Sequence, residues 1–411
     1  MTGKDAGCHA WAALLLLLLP TGTSPAWAAT ETILYNITNL DVGNPVQQLA
    51  FYSTNCSSTC LIGVGDGDSN NIAGPFELGY SFLLHRWYDT QLLSLSGIDQ
   101  GGPLTDAAGQ IFGTSASGGL YDKGKAYELY YSGGNLVSTT IWSFGVGIDA
   151  TGPSYPLVQG LNPDTLYGTT FFGGTYGEGT VYSLTWSGTS WQENVVYSFG
   201  AFGTDRGLDP VGKVYVDGSG NLYGATNYGG VYGGGGSGTI FELTRSAGVW
   251  VEKTLHSFGG GQDGAFPEDG VIAVQGALGP VFYGTTYMGG IYGNGTVYSM
   301  AASHGTWREG VIHSFSGGND GSEPIVSLAW NPAKNTLYGT TVQGGAYNLG
   351  TVFALANSGG NWSETVLHSF GNDTDGEYPF APVILDGAGN LYGSTYLGGS
   401  VGNGTIYEIN F

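Results

Sequence analysis

Basic side chains are scarce in this sequence. The 411 residues include 10 lysines and arginines against 32 aspartates and glutamates, which gives a formal charge of −22 at pH 7. This balance argues against nucleic acid as a partner, because neutralising phosphates requires clustered Lys and Arg. It also argues against docking on an anionic membrane surface. The composition therefore excludes two large classes of partner.

Cysteine and long apolar runs are rare as well. Of the three cysteines, only Cys56 and Cys60 lie beyond the N-terminal segment. In an oxidising compartment these two can form a disulfide within one local loop. A C-x3-C pair without histidine or further cysteine is a poor zinc signal. No second apolar run follows the one near the N-terminus, so we expect no membrane span in the mature protein.

The apolar run at the N-terminus resembles an export signal. Lys4 precedes it, the run extends over residues 10–19, and Ala26-Trp27-Ala28 follows as a small-x-small cleavage site. The run is shorter than the ~20 residues of a membrane-spanning helix. We therefore expect residues 1–28 to be removed as a signal peptide, which leaves a secreted or periplasmic protein.

Glycine and aromatic residues, by contrast, are plentiful. Glycine accounts for 76 residues, whereas an average chain has ~7%. Each glycine inside a helix costs ~1 kcal/mol, so long helices are disfavoured. No strict Gly-x-y period is present, which excludes collagen. Hydrophobic residues reach 41% and aromatics 13%, enough to build a large core that disordered chains lack. An all-β chain with many tight turns is the expected fold class.

A repeat of 54–60 residues organises the chain. Each unit has an aromatic-Gly step, then a Gly-Thr-Val-Tyr-like strand, then a Ser-Phe step. The aromatics of the first step are Phe112, Tyr167, Tyr223, Tyr283, Tyr338 and Tyr392. Turn clusters divide each unit into four short predicted strands. Four-stranded units in series are typical of a β-propeller.

The number of blades follows from an aspartate that stands shortly before a proline. It recurs at Asp41, Asp99, Asp149, Asp205, Asp263, Asp320 and Asp375. We therefore predict seven blades in a single domain over residues 29–411, the first of them, about 41–98, being degenerate. The last unit has only three strands, and residues 32–37 resemble a fourth. The N-terminal strand should thus complete the last blade and remove exposed edges; an open solenoid is the structural alternative.

The repeat is similar to a known family. Leu-Tyr-Gly-Thr-Thr, a Gly-Gly pair, Gly-Thr-Val-Tyr, an aromatic-Ser-Phe strand and an Asp-Gly turn resemble the GloVer tandem-repeat family of exported bacterial proteins. The resemblance covers residues 99–411 well and residues 30–98 in degenerate form. It implies a secreted, propeller-like bacterial protein, often with a C-terminal anchor, which we do not expect here. It implies no established activity and no catalytic residues.

Two repeated sets of side chains are the candidate ligand-binding residues. In a propeller, the loops between strands 2 and 3 and those leading to the next blade share one face. That face should collect the aspartates Asp149, Asp205, Asp263, Asp320 and Asp375 and the tyrosines Tyr121, Tyr176, Tyr232, Tyr292 and Tyr347. Carboxylates beside exposed aromatic rings suit sugars. The alternatives are turn formation for the aspartates and packing for the tyrosines.

Metal-binding candidates are fewer. Asp66 with Asp68, and Asp373 with Asp375, cluster the hard oxygen ligands that Ca²⁺ prefers. Neither loop completes an EF-hand, because the twelfth-position Glu is missing. No cofactor is required, and Ca²⁺ is the ion these loops would suit. The histidines at one repeat position (His256, His313 and His368) lie on different blades. They cannot converge on one metal, so we interpret them as packing residues.

No catalytic motif emerges, since a Gly-x-Ser-x-Gly elbow on a strand-to-helix turn is missing from the sequence. The sequence favours a monomeric binding module for a polysaccharide, a cell-surface polymer or a protein. One alternative is a carbohydrate hydrolase or lyase with its site in a single asymmetric blade. The degenerate first blade, with His85, Arg86 and Asp89, is the candidate. Another alternative is a structural surface protein.

Overall fold

Every regular element in the described part of the chain is a β-strand, which confirms the all-β prediction. The structure is a computed structural model that describes residues 29–37, 44–45, 48–52, 60–66, 74–81, 86–92, 101–106, 108–133, 135–201, 207–232, 235–259, 262–277 and 279–411. The predicted signal peptide lies outside the described residues, as do Asp41, Cys56, Asp68, His85, Asp99 and Asp205. None of the described residues forms a helix long and apolar enough to cross a membrane.

Seven antiparallel sheets form the blades of a propeller, as predicted. Blade 1 contains Asn44–Pro45, Ala50–Tyr52, Cys60–Asp66, Gly74–Ser81 and Arg86–Leu92; blade 2 contains Gly101–Thr105, Ile111–Ser115, Lys125–Ser132 and Asn135–Ser143. Blade 3 contains Val158–Gln159, Thr165–Thr170, Thr180–Trp186 and Trp191–Ser198; blade 4 contains Gly207–Val216, Leu222–Gly229, Thr239–Ser246 and Val249–Ser257. Blade 5 contains Ile272–Gly276, Gly279–Thr286, Thr296–Ser303 and Thr306–Ser314; blade 6 contains Ala329–Asn331, Thr336–Thr341, Thr351–Ser358 and Asn361–Ser369.

Blade 7 is assembled from both ends of the chain. Its first three strands are Ile384–Leu385, Leu391–Thr395 and Thr405–Asn410, and its outer strand is Thr30–Asn36. The N-terminal strand runs antiparallel to Thr405–Asn410, with Glu31 opposite Ile409. The Oδ1 atom of Asn36 also accepts the Ser400 N–H at 2.8 Å. The predicted closure by the N-terminal strand is thus confirmed.

The Leu-Tyr-Gly-Thr-Thr motif of the second strand has a role at each position, as blade 3 shows. Leu166 is buried in the core. A Cβ on Gly168 would lie 2.4 Å from the Tyr182 hydroxyl, so only glycine lets that ring lie across the strand. The Thr169 hydroxyl donates to the Gly212 carbonyl of the next blade at 2.7 Å, and Thr170 bonds Thr180 on the third strand at 2.8 Å.

Adjacent blades pack through aromatic rings. The Ser-Phe phenylalanine of one blade's outer strand lies against the third-strand aromatic of the next blade. In blades 4 and 5 the ring centroids of Phe258 and Tyr298 are 5.1 Å apart, and both side chains are fully buried. The equivalent pairs are Phe144–Tyr182, Phe199–Phe241, Phe315–Phe353 and Phe370–Tyr407. These contacts form the core between blades.

A strained backbone position links each of blades 3 to 7 to the preceding blade. The residue before the proline in each of these five connecting loops has a positive φ. It is Gly152, Asp209, Phe266, Glu323 or Tyr378, the four non-glycine residues having φ of 56–58°. Each donates its N–H to the loop between strands 2 and 3 of the preceding blade at 2.8–3.1 Å. Short two-stranded sheets join three of these connecting loops to the loop between strands 2 and 3 of the following blade, namely Ala150–Thr151 with Phe172–Gly173, Gly264–Ala265 with Met288–Gly289, and Gly376–Glu377 with Leu397–Gly398.

Candidate functional site

The repeated tyrosines lie on the surface. Tyr121, Tyr176, Tyr232, Tyr292 and Tyr347 are 46–60% exposed, each in the loop between strands 2 and 3 of its blade. Apolar neighbours precede several of them, and Leu120, Val231 and Ile291 are exposed by 52–77%. These rings therefore do not pack into the blade cores, which was the alternative interpretation. We call this row of exposed loop residues the tyrosine rim.

A glycine of the connecting loop makes room for four of the five rim tyrosines. Gly371, which follows the Ser-Phe step of blade 6, has a φ of 110°, and a Cβ there would lie 3.0 Å from the Tyr347 Cβ. Gly200 stands in the same relation to Tyr176. Because an L side chain is disfavoured by both the conformation and the space, the chain requires glycine here. This contact places the tyrosine loop beside the loop that carries the repeated aspartate.

The repeated aspartates hold their own loops together. Asp375 accepts the N–H groups of Gly371 at 3.2 Å and Gly376 at 2.7 Å. Asp149 accepts those of Gly145 and Ala150 in the same way. Both aspartates are buried, whereas Asp320 is less so. The turn-forming interactions expected of an aspartate at this position are therefore present, and they leave part of each carboxylate for another partner.

That other partner is a histidine in three blades. His256 Nε2 lies 2.9 Å from Asp263 Oδ2, and His368 Nε2 lies 2.8 Å from Asp375 Oδ2. On the outer strand of blade 5, His313 is 3.6 Å from Asp320. Each histidine ring also packs on the phenylalanine two residues later, with centroids 4.6–4.8 Å apart. The histidines do pack, as predicted, but the sequence analysis missed their polar partner seven residues downstream.

A glutamate from the next blade completes two of these groups. Glu309 joins His256 and Asp263, and Glu31 of the N-terminal strand joins His368 and Asp375. Burial, reinforced by Asp263 and opposed by His256, raises the pKa of Glu309 to about 7. In the groove where Trp142 replaces the histidine, burial and the adjacent Asp149 raise the pKa of Glu193 to about 8. Two carboxylates thus face each other where blades meet.

The tyrosine rim and one of these acidic groups share a cavity of about 710 Å³ between blades 4 and 5. Tyr232 and Tyr292 flank it, and His256, Asp263 and Glu309 line it together with apolar side chains of the blade 5 outer strand. This cavity therefore brings Tyr232, Tyr292 and Asp263 of the predicted residues together. Their role as ligand-binding residues stays a prediction.

The predicted calcium loops are arranged differently from one another. Asp373 is exposed with a φ of 58°, whereas Asp375 is buried against His368. Asp66 ends a strand of blade 1, and the structure does not describe its side chain.

Cys60 is disulfide-bonded, while its predicted partner Cys56 lies outside the described residues. For the first-blade enzyme site, Arg86 and Asp89 lie on a strand, but their side chains are also outside what the structure describes.

A second cavity, of about 640 Å³, lies between blades 2 and 3. Trp142, Trp186 and Trp191 line it, and Asp106, Glu128 and Asp164 are among its polar residues. It opens among the loops that join strands 1 to 2 and 3 to 4, at the opposite strand ends from the tyrosine rim. We call it the tryptophan cleft. Other blades carry different residues at the positions of Trp142 and Trp186, so the cleft is asymmetric. This cleft was not predicted from the sequence.

The repeat motif identifies the family. The Gloeobacter/Verrucomicrobia repeat matches residues 99–279 and, overlapping them, residues 236–411. The chain belongs to this repeat family. The resemblance noted from the sequence is thereby confirmed over the six clear repeats. No curated protein matches the chain.

Three solved structures similar to this member of the repeat family carry lactonase names. A candidate 6-phosphogluconolactonase from Bacteroides uniformis aligns with a TM-score of 0.54 at 12% identity, over 82% of this chain and 88% of its own. One from Bacteroides fragilis gives 0.50 at 13% identity, over 84% and 89%. A periplasmic gluconolactonase from Pseudomonas aeruginosa gives 0.50 at 13%, over 79% and 84%. At these identities the likeness shows the fold alone.

Proposed function

We propose that this protein is an exported, monomeric binding module that holds a polysaccharide or cell-surface polymer along the tyrosine rim. The observation that carries the proposal is the repeated exposure of a tyrosine next to the loops that carry the repeated aspartates. Tyrosine rings stack on the apolar faces of sugars, and carboxylate oxygens accept their hydroxyl hydrogens. The cavity between blades 4 and 5 supplies both kinds of group in one place.

Repetition supports binding over catalysis for the rim. A polymer presents the same sugar unit many times, and a ring of similar grooves can contact several units of it. Contacts linked in this way add avidity because each further contact is made at high effective concentration. The negative charge of the chain makes a neutral or basic polysaccharide a better ligand than an acidic one.

A glycan array tests the proposal. The native protein should retain neutral polysaccharides. The double variant Tyr232→Ala, Tyr292→Ala should bind them at least about tenfold more weakly, because stacking on two rings is lost. The matched control is Tyr130→Ala, because Tyr130 is similarly exposed but lies on a strand outside the rim. Equal loss in the control and the rim variant, or no glycan binding by the native protein, would contradict the proposal.

The tryptophan cleft favours a second candidate function, a carbohydrate hydrolase. Its asymmetry is what a single active site needs, and it combines tryptophan platforms with the carboxylates that glycoside cleavage uses. For such an enzyme, Asp164→Asn should abolish turnover of a bound polysaccharide. The double variant Tyr232→Ala, Tyr292→Ala of the rim should leave the turnover per bound substrate unchanged. Product analysis of the array hits distinguishes this candidate from binding alone.

A further inference from the structure

Two grooves between blades each bring a histidine, an aspartate and a glutamate together. Between blades 4 and 5, one ligand atom each of His256, Asp263 and Glu309 lies within 4.8 Å of the other two. Between blades 6 and 7, His368, Asp375 and Glu31 repeat the arrangement. In both grooves the histidine comes from one blade, the aspartate from the connecting loop and the glutamate from the next blade.

The separations between these atoms are close to those around a small divalent cation. Imidazole and carboxylate bind Zn²⁺ at about 2.0–2.2 Å in tetrahedral geometry, so two ligand atoms of one ion are about 3.4 Å apart. The histidine-to-aspartate hydrogen bonds are 2.9 Å and 2.8 Å long, and an ion that replaced the shared proton would separate these atoms by about half an ångström. Modest rotations of the glutamate side chains would bring the third ligand atom to the same ion. A mixed nitrogen and oxygen donor set favours a first-row transition ion over Ca²⁺ or Mg²⁺.

Polar atoms beside these clusters lack a hydrogen-bond partner among the described residues. The Oε1 atoms of Glu309 and Glu31 are buried and accept no hydrogen bond. Buried carboxylate oxygens are costly unless they are paired or bind a metal. The same geometry in two separate grooves shows that it is a feature of the repeat.

We propose that these two grooves bind divalent first-row metal ions, with zinc the best match, and that each ion joins two adjacent blades. The ion at Glu31 ties the N-terminal strand to blade 6 and so reinforces closure of the ring. This site takes a different ligand from the tyrosine rim and does not depend on sugar binding. A third groove, with His313 3.6 Å from Asp320, is more open and binds more weakly. The groove of Asp149 has Trp142 in place of the histidine and serves as an internal comparison.

Calorimetric titration of the chelator-treated protein with Zn²⁺ tests the proposal. Two ions should bind tightly, and the thermal unfolding midpoint should rise with zinc and much less with Ca²⁺. His256→Tyr introduces the residue that blade 3 carries naturally as Tyr197, and it should remove one tight ion. Glu31→Gln should remove the other.

The control is Glu193→Gln, from the groove that lacks a histidine, and it should retain both ions. Circular dichroism establishes that each variant is folded, and Glu309→Gln gives a second test of the first groove. Absence of tight zinc binding in the native protein would overturn the proposal. The proposal would also be overturned if His256→Tyr, Glu31→Gln and Glu309→Gln all left the number of bound zinc ions unchanged. The zinc would then be bound elsewhere.

Discussion

At the scale of single residues, the third-strand aromatic differs between blades by one hydroxyl group. Tyr182, Tyr298 and Tyr407 are fully buried, and their hydroxyls have no hydrogen-bond partner among the described residues. Blades 4 and 6 carry Phe241 and Phe353 at this position, with the same ring contact to the preceding blade. An unpaired buried polar group costs about 1–3 kcal/mol. The repeat therefore tolerates this hydroxyl without needing it.

Removing one such hydroxyl should stabilise the protein. We expect Tyr182→Phe to raise the free energy of unfolding by about 1 kcal/mol, because the ring stays in place and an unpaired polar group is lost. The reverse change, Phe241→Tyr, should lower it by about 1–3 kcal/mol. Urea unfolding with an unchanged denaturant slope measures both. A Tyr182→Phe variant less stable than the native protein would show that the hydroxyl has a partner.

At the scale of strands, buried threonine pairs connect the second strand to the third. Thr286 and Thr296 lie opposite each other in blade 5, and their hydroxyls are 2.8 Å apart. Thr286 Oγ1 also lies 2.9 Å from the Met288 carbonyl, to which it donates. The equivalent pairs in blades 3, 4, 6 and 7 are Thr170–Thr180, Thr226–Thr239, Thr341–Thr351 and Thr395–Thr405. These pairs hold the register of the two strands where the tyrosine loop begins.

A double-mutant cycle measures what one pair contributes. Thr286→Val and Thr296→Val should each cost about 1–3 kcal/mol, because each leaves a buried hydroxyl or carbonyl unpaired. The double variant should cost less than the sum of the two, since the second change removes a group that is already unpaired. Strictly additive costs would show that the two hydroxyls do not interact.

At the scale of the whole molecule, the sequence predicts the ring well. A constant period sets the blades, and strand 4 is missing from the last repeat but present near the N-terminus, at Thr30–Asn36. Both the repeat period and the displaced fourth strand can be read directly from the sequence, without knowledge of the three-dimensional structure. The sequence placed Tyr292 and its fellow rim residues in Gly-rich loops but left packing open as an alternative, and the structure shows these side chains exposed.

The contacts between blades were harder to predict. The constant spacing of seven residues between His256 and Asp263, or His368 and Asp375, is visible in the sequence and was overlooked. The glutamate partner is not visible in this way, because its approach depends on which strand of the next blade faces the groove. The tryptophan cleft similarly forms from two blades, with Trp142 on one and Trp186 on the other.

The central claim is that a repeated rim, not one asymmetric site, binds the ligand. Its most direct test is the stoichiometry of a short oligosaccharide from a polysaccharide that the protein retains, measured by isothermal titration calorimetry. We expect more than one oligosaccharide per chain, and Tyr292→Ala should reduce that number while leaving the remaining sites occupied. A stoichiometry of one that Tyr292→Ala leaves unchanged would contradict the account and assign binding to a single site elsewhere.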